Sequence, residues 1–401
     1  MNPDAQLLWR APRWAFAFLL ACLGMLGPFA IDTYLPAFAG IAGSVNASAA
    51  QMQQTLSAYL FGFAVMNLFH GALSDSLGRR PVVLWGLALF AIASVGCALS
   101  QNIASLVFWR AVQGMSAGAG TVVSRAVIRD MFAPADAQRM MSQVTLYFAI
   151  APAIAPLIGG YLFVHAGWRS IFWFLAAICM LLWIAMHRLL PETLHVEQRQ
   201  PFNAGSLLRG YVQLGSSARF LVLILASSLP FNGMFLYVLS APVFLGEILK
   251  LGPEQFFWFF CLTVSGVMGG AFVSGRMAGR HAANLQVRWG FAVMLVSAAA
   301  NVALNLLFEP EAWWAMLPIG VYSLGWAMVV PVVTLLVLDH APDRRGMASS
   351  VQWFVGSMAN VVVAGVITPL VMHSTLALAT TTLAMLGAGL LAWVWVRPRV
   401  T

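Results

Sequence analysis

The sequence predicts an all-α integral membrane protein with twelve transmembrane helices in two six-helix halves, on three observations. Of its 401 residues, 61% are hydrophobic and 8% charged, whereas an ordinary soluble domain is roughly 25% charged, so most side chains must face lipid or one another. Its apolar runs reach the ~20 residues that a helix needs to cross the hydrocarbon layer. They lack the polar–apolar alternation and ten-residue strand spacing of an outer-membrane barrel. The bases are also sorted by loop: Arg110 lies inside an apolar run, Arg169 and Lys250 fall on one side, and the remainder of the 21 fall on the other. Lys and Arg collect on the cytoplasmic side, so both termini are expected there, which requires an even number of spans.

The spans begin near Trp14, Gln51, Val82, Ile103, Arg139, Arg169, Arg219, Glu254, Leu285, Ala312, Gly346 and Ser374. The longest break in hydrophobicity follows Pro191. It divides the chain into an N-terminal half (1–190), a cytoplasmic linker (191–218) and a C-terminal half (219–401). Within the linker, Ser206–Leu214 reads equally as a short surface helix or as a flexible tether. Arg10 and Arg13 ahead of an apolar run imitate a secretory signal, but that run outlasts a signal's apolar core and is read as a retained first span. The net charge of +8 does not point to nucleic acid, because the Arg residues are dispersed between apolar runs and form no basic face. Cys22, Cys97, Cys179 and Cys261 each stand alone in an apolar stretch without metal-ligand spacing. No metal and no cofactor is expected.

Four segments carry chemistry. In the second loop, Gly71-Ala72-Leu73-Ser74-Asp75-Ser76-Leu77-Gly78-Arg79-Arg80-Pro81 combines turn-forming glycines with an acid that can meet a helix N-terminus or an Arg. Its equivalent in the second half, Gly275-Arg276-Met277-Ala278-Gly279-Arg280, keeps glycine and arginine but lacks the acid. In span four, Arg110 with Gln113 and Gly114 forms R-x-x-Q-G, and a charge inside the membrane costs at least ~2.5 to 3.5 kcal/mol, which makes it a functional candidate by default. Span five reads Ala151-Pro152-Ala153-Ile154-Ala155-Pro156-Leu157-Ile158-Gly159-Gly160, where each proline removes an amide donor and predicts a bend. In span one, Asp32 within Gly27-Pro28-Phe29-Ala30-Ile31-Asp32-Thr33-Tyr34-Leu35-Pro36 is the only carboxylate well inside a span, which suits it to reversible proton carriage.

The second loop resembles the signature between spans two and three of the major facilitator superfamily, and R-x-x-Q-G resembles that superfamily's second signature. Span five is similar to its antiporter signature with two glycines replaced by alanine. Together with Asp32-x-Tyr34-Leu35-Pro36, these motifs resemble the Bcr/CflA branch of drug:proton antiporters. That resemblance implies the major facilitator fold, alternating access about a central cavity, proton-coupled export, a latch role for Gly71, Asp75, Gly78, Arg79 and Arg80, and a protonatable acid matching Asp32. Gly24 stands where some relatives carry a second acid. Candidate cavity residues are Tyr34, Gln113, Tyr147, Asn232 and Trp353.

The expected function is therefore multidrug efflux across the bacterial inner membrane, exchanging a small amphipathic substrate for protons. Asp32 would bind and release the proton while Arg110 tunes it, and the chain is read as a monomer. The alternatives are a major-facilitator exporter or importer of a sugar or small metabolite, and a membrane sensor that transports nothing. His70-Gly71-Ala72-Leu73-Ser74-Asp75 also fits an acyltransferase pattern, but it coincides with the second loop and has no supporting site. No G-x-x-x-x-G-K-[ST] segment is present, so transport would be driven by an ion gradient and the chain is not read as an enzyme.

Overall fold

The computed structural model describes residues 13–132, 134–199, 202–277, 280–340 and 345–396. Helix is the only regular structure among them, as expected where the bilayer core offers backbone groups no water and each segment must satisfy its own. Contacts divide the chain into two compact units, residues 1–204 and 205–401.

The first unit holds α1 (Arg13–Asp32), α2 (Ala49–Leu77), α3 (Arg79–Leu99), α4 (Ile103–Met131), α5 (Pro134–Ala166) and α6 (Arg169–Leu189). Polar caps start several of them, because the first amides of a helix need acceptors. Ser48 and Gln51 form a reciprocal capping box at α2, with Gln51 N donating to Ser48 Oγ at 3.2 Å and Ser48 N to Gln51 Oε1 at 2.9 Å. Asn102 Oδ1 accepts Ser105 N at α4, at 2.9 Å. Within this unit α2 packs on α4, α3 on both α4 and α6, and α1 on α5 and α4.

The second unit holds α7 (Ala218–Leu239), α8 (Phe257–Met277), α9 (Ala283–Leu307), α10 (Leu317–Asp339), α11 (Arg345–Val362) and α12 (Thr375–Val396). A wider turn with π geometry follows α7 at Pro242–Ile248, and another follows α11 at Val363–Ile367. Here α8 packs on α10, α9 on α10 and α12, and α7 on α10, α11 and α12. The pairings of the first unit thus recur in the second at the corresponding helices, which is what a duplicated helical bundle produces. A connecting helix, Ala204–Gly215, straddles the boundary. Of the two readings left open for this stretch, the structure adopts the helix, and Gly210 packs closely against Met347 of α11.

Among the described residues, ten helices are long and apolar enough to cross a membrane. α4 and α5 are not among those ten, although they have 29 and 33 residues, and a helix of 29 is about 44 Å long. In α5 only Ile150–Ala166 forms an apolar stretch, and α4 carries Arg110, Arg125, Arg129 and Asp130, which dilute its hydropathy. With these two, twelve long helices are present among the described residues. The chain is a multi-pass membrane protein. Ala278 and Gly279 of the second-half loop echo, and the terminal Trp9, Arg10, Arg397 and Arg399, lie outside the described residues.

Candidate functional site

α1 stops at Asp32 because the next residues turn inward on themselves. Thr33 N and Thr33 Oγ1 both donate to Phe29 O, at 3.0 and 2.8 Å, and a short 3-10 turn, Leu35–Ala37, follows around Pro36. A short helix, Phe38–Ser44, completes the apolar run Trp14–Ser44, so Asp32 sits in the interior of a spanning segment. Its exposure is 5%. Among the described residues no ion pair or side-chain hydrogen bond to its carboxylate is found, and burial is the only influence acting on it. An acid inside a spanning segment without a countercharge is a functional candidate by default.

Arg110 on α4 is fully buried, and its neighbours explain how that is tolerated. Nη1 donates to Gln113 Oε1 at 2.6 Å and to Ala30 O of α1 at 3.3 Å. Gln113 in turn donates through Nε2 to Ser94 Oγ of α3 at 2.8 Å. The guanidinium carbon lies 4.7 Å from the Tyr34 ring centroid and 4.3 Å from that of Tyr59, so two ring faces partly replace its hydration. Both rings are anchored: the Tyr34 hydroxyl pairs with Thr55 Oγ1 at 2.8 Å, and the Tyr59 hydroxyl donates to Gly27 O at 2.8 Å. Nε and Nη2 of Arg110 find no acceptor among the described residues.

Arg110 therefore makes no ion pair with Asp32. The two are linked through Ala30, two residues before the acid, and through Tyr59, which lies within electrostatic reach of both. Four helices supply this cluster, and the spacing of Arg110, Gln113 and Gly114 at i, i+3 and i+4 places all three on one face of α4. Gly114 allows the α2 backbone to approach so closely that a Cβ there would collide with Tyr59 O. From the other side, a Cβ on Gly62 would collide with Ala111 O.

The second loop is tied into the first unit by groups that its motif does not contain. Arg79 donates through Nη1 to Asp75 Oδ1 at 2.5 Å and to Ser74 Oγ at 2.7 Å, and through Nε to Asp130 Oδ2 at 3.0 Å. Thr193 Oγ1 shares Asp130 Oδ2 at 3.2 Å. Glu192, just beyond α6, caps the N-terminus of α3: Oε1 accepts Arg79 N at 2.9 Å and Oε2 accepts Arg80 N at 3.3 Å. A carboxylate at a helix N-terminus meets both unpaired amides and the positive end of the dipole. Sequence reading passed over Asp130 and Glu192. The Arg129-Asp130 and Pro191-Glu192 pairs at the ends of spans four and six were the available signals.

Gly78 links α2 to α3 at φ 104°, ψ 158°, a region reserved for glycine, and a Cβ there would strike Glu192 Oε2. Gly78→Ala is expected to lower stability by about 1 to 3 kcal/mol from backbone strain, and a thermal melt of the purified chain would measure it. Gly71, by contrast, meets only Val122, at an ordinary 3.8 Å.

α5 continues as one helix through Pro152 and Pro156. Gly159 and Gly160 are both buried, and a Cβ on Gly159 would collide with Thr33 O beside the acid. The five candidate cavity residues fall in different settings. Tyr34 and Gln113 are fully buried parts of the Arg110 cluster. Tyr147 is half-buried against Phe18, with rings edge to face at 5.7 Å. Asn232 on α7 is buried, donates to Ser228 O at 2.8 Å and leaves Oδ1 without a partner among the described residues. Trp353 on α11 is 49% exposed.

Comparison with known proteins agrees with this architecture. Residues 18–364 match the family described as Major Facilitator Superfamily. The chain is 32% identical to the uncharacterized MFS-type transporter YdgK of Bacillus subtilis, over 90% of this chain and 89% of that protein. It is 29% identical to the bicyclomycin resistance protein homolog of Haemophilus influenzae, covering 87% and 88% of the two chains. It is 27% identical to multidrug resistance protein D of Escherichia coli, covering 86% and 85%. In fold it is similar to a peptide transporter POT crystallised with alafosfalin, with a TM-score of 0.77 at 14% identity over 95% of this chain and 93% of that one. The second relative carries the resemblance to the Bcr/CflA branch, and the chain belongs to the major facilitator superfamily.

Proposed function

We propose that the chain exports small amphipathic drug-like compounds across the bacterial inner membrane in exchange for protons, as a monomeric secondary transporter working by alternating access with both termini cytoplasmic. The observation that carries this reading is Asp32: a buried carboxylate in the interior of a spanning segment, without a countercharge, two residues from the Ala30 carbonyl that the buried Arg110 holds. Holding a carboxylate there has a use if the anion is one stage of a cycle, with protonation from one side and release on the other. The names of the Haemophilus and Escherichia relatives support a drug as the exchanged substrate.

With Asp32 as the single coupling acid, one proton moves per cycle. Exchange with a neutral compound of the phenicol type then moves one charge, which is worth about 2.3 kcal/mol per 100 mV. Exchange with a monovalent cation is electroneutral. Proteoliposomes holding the purified chain are therefore expected to concentrate a neutral substrate about fiftyfold more under an imposed 100 mV potential, and a cationic substrate to the same level with or without it. A stoichiometry of two protons for either substrate would refute the single-acid scheme.

A further inference from the structure

Outside the Asp32 region, the first unit holds a groove of about 490 Å³ between the N-terminal end of α3 and the C-terminal end of α6. Its head is polar, with Arg80, Arg199, Glu192 and His187, and its walls are aromatic, with Trp85 and Trp183. The polar end is rigid. Arg80 Nη2 donates to His187 O at 2.5 Å, and Trp183 stacks on the His187 ring with centroids 5.1 Å apart and planes 5° apart.

The charges in this groove do not cancel. Glu192 is the only acid lining it, and its oxygens are already committed to Arg79 N, Arg80 N and Leu194 N. Its ion pair with Arg199 is long, at 3.9 Å. The Nε atoms of both Arg80 and Arg199 are buried without a hydrogen-bond partner among the described residues. Two guanidiniums thus offer donors beside a carboxylate whose charge is spread over the start of α3.

The other end of the groove opens onto apolar surface. Trp85 is 76% exposed, and further along the same helices Leu89 and Ile92 of α3 and Leu181 and Ile184 of α6 are exposed. In a spanning protein that surface faces acyl chains. A ligand matching the whole groove needs an anionic phosphate at one end and hydrocarbon at the other. Trp side chains between the two are at home in the headgroup layer. We propose that the groove between α3 and α6 binds the headgroup and glycerol region of an anionic phospholipid, with its phosphate on Arg80 and Arg199 and its upper acyl carbons against Trp85 and Trp183. The site is independent of the transported substrate, and it places a lipid against the same Glu192 that holds the start of α3.

The test is a titration of the full chain in detergent with phosphatidylglycerol, phosphatidylcholine or inorganic phosphate, read by native mass spectrometry. The wild type is expected to bind phosphatidylglycerol more tightly than phosphatidylcholine. With each base contributing about fivefold, the double variant Arg80→Gln/Arg199→Gln is expected to bind phosphatidylglycerol about 25-fold more weakly. Trp85→Ala is expected to weaken both lipids, while Arg288→Gln, an exposed position on α9, leaves binding unchanged. Unchanged affinity in the folded double variant, equal affinity for phosphatidylcholine, or displacement of the lipid by millimolar inorganic phosphate would each overturn the proposal. If the double variant does not fold, Arg199→Gln and Trp85→Ala decide, because neither removes the Arg80 side-chain bond to the His187 carbonyl, and unchanged affinity in both overturns it.

Discussion

Asp32→Asn is expected to abolish drug protection in a pump-deficient bacterium while the protein reaches the membrane at wild-type levels. Asparagine has the size of the protonated acid, so packing at this 5% exposed position is kept, and removing a buried charge without a countercharge is no burden on folding. What the amide cannot do is release a proton. Coupled flux in proteoliposomes should fall at least about a hundredfold, the usual scale for losing a proton-transfer group. Substrate-for-substrate counterflow, which needs no proton release, should persist. Protection retained in the variant would move the proton site elsewhere. No protection by the wild type against any compound, neutral or cationic, would instead indicate a metabolite transporter.

The second large effect is on stability. A Cβ on Gly114 collides with the backbone oxygen of Tyr59, and one on Gly62 collides with the backbone oxygen of Ala111, so neither contact can be relieved by turning a side chain. Gly114→Ala is expected to force α2 and α4 apart at a cost of about 1 to 3 kcal/mol, a fall of roughly 1 to 4 °C in the melting midpoint of a chain this long. It should also weaken transport, because Tyr59, which covers Arg110, is the residue displaced. Gly387 in α12 provides the contrast: nothing lies within 4 Å of a Cβ there. Gly387→Ala should therefore be neutral or raise stability by about 0.5 to 1 kcal/mol, since alanine fits a helix interior better than glycine does. A fall of the same size in both variants would show that the α2–α4 contact does not set the effect.

The spans were legible because a membrane imposes a local requirement: each crossing needs its own apolar run, whatever packs against it. The least legible helices were α4 and α5, where arginines and polar residues dilute the run, and the start expected for span five near Arg139 lies inside α5, which begins at Pro134. The second loop was legible as a turn with an acid and two arginines. The partners that fix it, Asp130 and Glu192, were not, since they lie 51 and 113 residues from Arg79.

By itself, then, the sequence determined the helices, their number, and the presence of one acid and one base where hydrocarbon would otherwise be expected. Hydropathy and a charge's cost in lipid act residue by residue and leave their mark in any single chain. Tertiary structure decided what those two charges meet. Asp32 is left without a countercharge, while Arg110 is held by Gln113, the Ala30 carbonyl and the rings of Tyr34 and Tyr59. Which side chains surround a buried charge depends on how closely helices far apart in sequence can approach. Here that distance is set by the absence of a side chain at Gly62 and Gly114.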